Sequence, residues 1–78
     1  MPTIARIGPY RVFFFSNEGD EPPHVHIQHE RKLAKFWLEP PALESSSEFA
    51  AHELTRLETL VHENRVRFLS AWRDYFHA

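Results

Sequence analysis

The chain has 78 residues, of which 42% are hydrophobic and 26% charged, with a formal charge of −2 at neutral pH. That length suits one domain, 1–78, with a modest core, and the acid excess argues against a protein that coats duplex nucleic acid through a broad basic surface. There is no cysteine, which excludes disulfides and thiolate metal sites, and no apolar run approaches the ~20 residues of a membrane span.

In chain order, residues 2–7 read as a first strand, and Gly8-Pro9 as a turn. Residues 10–15 (Tyr-Arg-Val-Phe-Phe-Phe) are β-branched and aromatic and predict a second strand, paired with the first as a hairpin. Tyr10, Val12 and Phe14 share one face; Arg11, Phe13 and Phe15 share the other. Apolar residues on both faces imply a strand covered on both sides, or an interface.

An acidic loop, 16–23, carries Glu18, Gly19, Asp20 and Glu21 and closes on Pro22-Pro23, which hold the backbone extended. Strict alternation follows. On a strand, His24, His26, Gln28 and Glu30 project one way and Val25, Ile27 and His29 the other. Three of the six histidines fall in this short segment. After a polar turn, residues 33–38 (Leu-Ala-Lys-Phe-Trp-Leu) predict another strand. Its register leaves open whether Lys35 and Trp37 join the histidine face or the core face. Pro40-Pro41 breaks that strand, and residues 42–44 offer a short further edge strand.

From Ser45 the pattern changes. Any of Ser45, Ser46 and Ser47 suits a helix N-cap, and Ser45 with Glu48 has capping-box spacing. No Gly or Pro occurs after Phe49, and apolar residues recur at helical spacing through Leu54, Leu57, Val61, Phe68, Trp72 and Phe76. The stripe lapses over residues 62–65, so two helices, about 48–62 and 65–76, are expected rather than one, with Asn64 as a cap. The fold expected is α+β: a small antiparallel sheet of three to four strands over 1–44, followed by two C-terminal helices over 45–78 that pack on it.

The chemistry-bearing feature is His24-x-His26. Two imidazoles on one strand face can ligate one metal ion, with zinc the natural example, or exchange protons near neutral pH. In the metal reading, a carboxylate from the 18–21 loop or His62 supplies further ligands. In a catalytic reading, His24 and His26 act as acid and base on an RNA phosphodiester in a ribonuclease-like reaction. Arg11, Arg31, Lys32 and Lys35 then supply positive charge, and Trp37 a stacking surface. Without catalysis, the same face, with Arg11, Arg31, Lys32, Lys35 and Trp37, suits binding of RNA or of a partner protein; in a third reading the aromatic strands form a protein interface, either with a partner or in a homodimer, and the histidines are incidental or a pH-sensitive rim.

The segments Phe14-Phe15-Ser16-Asn17-Glu18-Gly19, Glu21-Pro22-Pro23-His24-Val25-His26 and Ala34-Lys35-Phe36-Trp37-Leu38 resemble a family of small bacterial proteins known as domain of unknown function 4160. Residues 2–4, 7–10, 53–64 and 72–76 extend the likeness over nearly the whole chain, and His29 lies outside its most specific part. The resemblance implies a bacterial, cytoplasmic protein, and membership of a two-gene, toxin–antitoxin-like module with a small cognate partner protein. It implies no particular activity.

Overall fold

The computed structural model describes residues 3–76. Pro2, which the sequence places at the head of the first strand, lies outside them. Five antiparallel strands run in simple meander order: β1 (Thr3–Ile7), β2 (Tyr10–Phe13), β3 (His24–His29), β4 (Lys32–Leu38) and β5 (Pro41–Ser47). Two helices follow, α1 (Ala51–Glu63) and α2 (Arg65–Phe76). The α+β class and the paired C-terminal helices are as expected, but the sheet has five strands rather than three to four.

The fifth strand takes in the short edge strand expected at 42–44 and continues through the serine run. Ser45, Ser46 and Ser47 pair with Lys35, Ala34 and Leu33 of β4, so they are strand residues and cap no helix. Without β5, one side of β4 would expose a row of backbone donors and acceptors, and pairing satisfies them. The chain turns out of the sheet at Glu48, which has a φ of 70°. Helix α1 begins only at Ala51, its N-cap is Ala50, and no side chain caps it. Asn64 ends α1 rather than opening α2 with its side chain: its Nδ2 donates to the Leu60 carbonyl. Its own carbonyl accepts the first bond of α2, from the Phe68 amide.

Strand β2 stops at Phe13, two residues short of the predicted end, because Phe14 and Phe15 turn into the acidic loop. The β1–β2 turn is two residues long and puts Gly8 at a φ of 57°, a region that favours glycine.

The helices cover one face of the sheet. Val12, Val25, Ile27, Ala34, Phe36 and Leu38 form that face and pack with Leu57, Val61, Phe68 and Leu69. The period-two alternation of the strands and the 3.6 period of the helices meet there, each burying its apolar side. Arg65 ties the start of α2 to the sheet by donating to the Leu38 carbonyl at 3.0 Å. Among the described residues no helix is long and apolar enough to cross a membrane.

Candidate metal centre

The opposite face of the sheet carries the histidines, and the hairpin register places their neighbours. His26 sits across from Lys35, and His24 across from Trp37. On the other side, Phe13 pairs with His26 and Arg11 with Gln28. The register left open by the sequence thus resolves towards the histidine face, because the two-residue turn at Glu30-Arg31 (φ 58° at Glu30) fixes the pairing.

The loop between β2 and β3 folds back over this face and delivers Glu18. Backbone bonds from Glu18 N–H to the Phe15 carbonyl (3.2 Å) and from Glu21 N–H to the Glu18 carbonyl (3.1 Å) make two successive turns. The Phe15 amide then donates to Glu18 Oε1 at 2.8 Å, which holds the carboxylate inward. Gly19 permits the tight approach of this loop to α2: a Cβ there would lie 2.8 Å from Phe76 Cδ1. Gly19→Ala is therefore expected to cost about 1 kcal/mol by displacing the Phe76 ring or the loop, read as a lower midpoint in chemical denaturation.

Glu18, His24 and His26 converge. His26 Nε2 lies 3.1 Å from both carboxylate oxygens of Glu18. His24 Nε2 lies 3.0 Å from Glu18 Oε1. One donor atom from each residue can be chosen so that all lie within 4.8 Å of one another. His24 is fully buried, His26 is 8% exposed, and Glu18 is largely covered.

The polarity of His24 is the most informative detail. Its Nδ1 is 3.0 Å from the carbonyl oxygen of Pro22. A carbonyl can only accept, so Nδ1 carries the hydrogen. In the neutral ring, Nε2 is then a bare lone pair. It is buried, has no hydrogen-bond partner, and stands at ion-pair distance from Glu18 Oε1 without the alignment of a hydrogen bond. A lone pair and a carboxylate oxygen at this separation repel unless a cation, a proton or a metal ion, lies between them. A backbone carbonyl holding the far nitrogen of an imidazole is also the usual way a metal-binding histidine is oriented.

Aromatic rings wall the cluster. Phe13 stacks on His26 with centroids 5.2 Å apart, and Phe15 meets the same ring edge-on at 5.0 Å. Trp72 of α2 lies 4.8 Å from the His24 ring, and Trp37 lies 5.7 Å from it. Burial works to raise the Glu18 pKa, but the hydrogen bonds from the Phe15 amide and the His26 imidazole hold the carboxyl below its ordinary value. Burial pushes the His26 pKa down, and the neighbouring Glu18 only partly opposes this. An ionised carboxylate beside a neutral imidazole is the protonation state a metal ion requires.

Those two shifts set an acid limit on stability. Both pKa values are lower in the folded chain than in the unfolded one, so the folded state binds fewer protons and the stabilisation belongs to the deprotonated forms. It is complete above the ordinary histidine value of 6.5. The His26 share fades as pH falls below that value, and the Glu18 share is lost below the ordinary carboxylate value of 4.5. Thermal melts between about pH 7.5 and 4 are expected to show a falling midpoint, and a flat profile would contradict this assignment.

The other sequence candidates do not gather here. Lys35 shares the face but is engaged with Glu21 at 2.7 Å and Glu44 at 3.5 Å, its ammonium 4.7 Å from the Trp37 ring centre. Lys32 is bound to Glu53 of α1, on the helix side of the sheet. Arg11 donates to Thr3 and Gln28 and sits over Phe13. Arg31 is in the β3–β4 turn, and His62 is on the exposed side of α1. His29 lies edge-on to Tyr10, away from the cluster, its Nδ1 buried without a partner. Glu18 stood in the sequence only as one of several loop acids. Its distinguishing sign is positional, since a glycine and two prolines downstream return the chain to the strand from which His24 and His26 project.

A family model described as domain of unknown function (DUF4160) matches residues 10–73. The chain belongs to this family. The matched span contains Glu18, His24 and His26, so the whole cluster lies within the domain 4160 region. No curated protein and no solved structure matches the chain.

Proposed function

We propose that this domain 4160 protein binds a divalent transition metal through Glu18, His24 and His26. The observation that carries this reading is the buried Nε2 of His24, a ring nitrogen with no aligned hydrogen bond that stands 3.0 Å from a carboxylate oxygen a second imidazole also approaches. Two neutral imidazoles and one carboxylate suit zinc, or iron(II), cobalt(II) and nickel(II), better than magnesium or calcium, which take mostly oxygen. Metal–donor bonds of ~2.0–2.2 Å in a tetrahedral set put donor atoms ~3.4 Å apart, close to the 3.0 and 3.1 Å separations of the two imidazoles from Glu18.

The same geometry weighs against RNA cleavage by His24 and His26. Full burial denies His24 access to a phosphodiester, and Lys32 and Lys35 are already paired with carboxylates. Charge for stabilising a phosphoryl transition state is thus committed elsewhere. A place in a toxin–antitoxin-like pair is compatible with metal binding, the partner acting on another surface.

Zinc addition to chelator-treated protein tests the reading. A ligand that binds only the folded state at 100 times its dissociation constant adds about 2.7 kcal/mol, so the melting point of this small domain is expected to rise by more than ~10 °C. The same addition to His26→Gln is expected to give little or no rise. A melting point unmoved by zinc, cobalt, nickel and iron(II) would remove the proposal.

A further inference from the structure

We infer that the ion acts as a latch between two parts of the fold: it holds the 14–23 loop against the sheet and, through that loop and Trp72, sets the packing of the last turns of α2. This rests on the metal reading above and assigns the ion's effect on the rest of the chain.

The loop is built to move as a unit. Its turns close on themselves, with the Glu18 N–H donating to the Phe15 carbonyl and the Glu21 N–H to the Glu18 carbonyl. The Pro23 carbonyl accepts from the Leu38 amide at 3.0 Å, but there the chain is already entering β3. Glu21 pairs with Lys35 at 2.7 Å, yet its side chain is 42% exposed, and pairs so open to water contribute little. The middle of the loop is held by Glu18, whose carboxylate stands against two imidazoles inside a wall of aromatic rings. An ionised carboxylate in such surroundings is poorly solvated, so the closed position is favourable when a cation joins it to the imidazoles.

The position of Glu18 is passed to the helix by a chain of contacts. The Phe15 amide donates to Glu18 Oε1 at 2.8 Å, so the carboxylate fixes the backbone that follows Phe14. The Phe14 ring is fully buried, with the rings of Trp72, Tyr75 and Phe76 each 5.3 Å away. Trp72 also covers the His24 ring at 4.8 Å and packs on Phe76 at 4.4 Å. Further along the loop, Gly19 lies so near Phe76 that a Cβ would come within 2.8 Å of that ring.

The end of α2 therefore meets the ring of one metal ligand directly, and meets the loop that carries another at both Phe14 and Gly19. Arg73 also ties these turns to Glu39 at 3.2 Å, but both side chains are exposed. Loop and helix end share one packed ring cluster, so an ion that fixes the first orders the second.

Hydrogen–deuterium exchange, read by mass spectrometry, compares the zinc-loaded chain with the chelator-treated one. Removing zinc is expected to speed exchange about tenfold both in residues 14–23 and in residues 70–76, with α1 unchanged. Coupling is reciprocal, so Phe76→Ala, which removes no ligand, is expected to raise the zinc dissociation constant about tenfold in competition with a chromophoric chelator. Tyr75→Ala, at a position 45% exposed, repeats the test with less loss of packing and is expected to move affinity the same way. Arg73→Ala, at the same end of α2 but outside the ring cluster, is expected to leave affinity in place. Faster exchange confined to 14–23, with parental zinc affinity in Phe76→Ala and Tyr75→Ala, overturns the latch and leaves the metal reading standing. So does faster exchange spread evenly over every segment, or an equal loss of affinity in Arg73→Ala. No zinc uptake by the parent chain overturns both.

Discussion

Glu18→Gln is expected to weaken zinc binding by at least ~100-fold, since even groups that only support metal ligands contribute 10–100-fold. The substitution changes little in volume, so lost affinity reports charge and ligation rather than packing. Glutamine also keeps an oxygen that can accept from the Phe15 amide, so the turn at 15–18 has a means to persist. What disappears is the negative charge between two imidazoles at 3.0 and 3.1 Å. Isothermal titration of the variant against the parent measures the change directly. Equal affinities would mean that Glu18 is a hydrogen-bond anchor for the loop and no ligand.

The second large effect is on stability and lies on the other face of the sheet. Phe36 is fully buried in the central part of β4, between the sheet and the helices. Phe36→Ala is expected to cost about 3–5 kcal/mol, through lost transfer energy and the cavity left behind. A domain of this length has a total stability of only ~4–12 kcal/mol, so the loss removes from about a quarter to all of it. Urea denaturation followed by circular dichroism gives the number. A loss below ~1 kcal/mol would mean that the helices are not packed on β4 as described. Metal addition is expected to recover part of the loss, because an ion that binds only the folded chain shifts the equilibrium back.

The strands and helices were legible wherever one periodicity dominated. Val25, Ile27, Ala34, Phe36 and Leu38 alternate cleanly, and all are buried on the helix-covered face. The break at residues 62–65 marked the junction between the helices, which falls at Asn64. The serine run was not legible. Ser45-Ser46-Ser47-Glu48 carries the chemistry of a cap, but the unpaired side of β4 recruits it as a strand, so the demand for backbone hydrogen bonds overrides local propensity. Phe14 and Phe15 look like strand residues and leave the sheet instead, because Phe14 packs against Trp72, Tyr75 and Phe76 at the end of α2.

For the candidate site, alternation placed His24 and His26 on one face, and that is where they lie. It could not choose among Glu18, Asp20 and Glu21, since a loop has no period. Nor could it show that Trp72, separated from His24 by most of the chain, closes over that ring. The direction of the His24 proton is equally a three-dimensional fact, set by where the Pro22 carbonyl points.

Anomalous diffraction from zinc-soaked crystals, recorded on both sides of the zinc absorption edge, tests the central claim most directly. A single strong peak is expected ~2.0–2.2 Å from His24 Nε2, His26 Nε2 and a Glu18 carboxylate oxygen, with His24 Nδ1 still bound to the Pro22 carbonyl. A peak confined to exposed histidines such as His52 or His62, or none at all in fully soaked crystals, would contradict the account and leave the cluster as a proton-sharing group of three side chains.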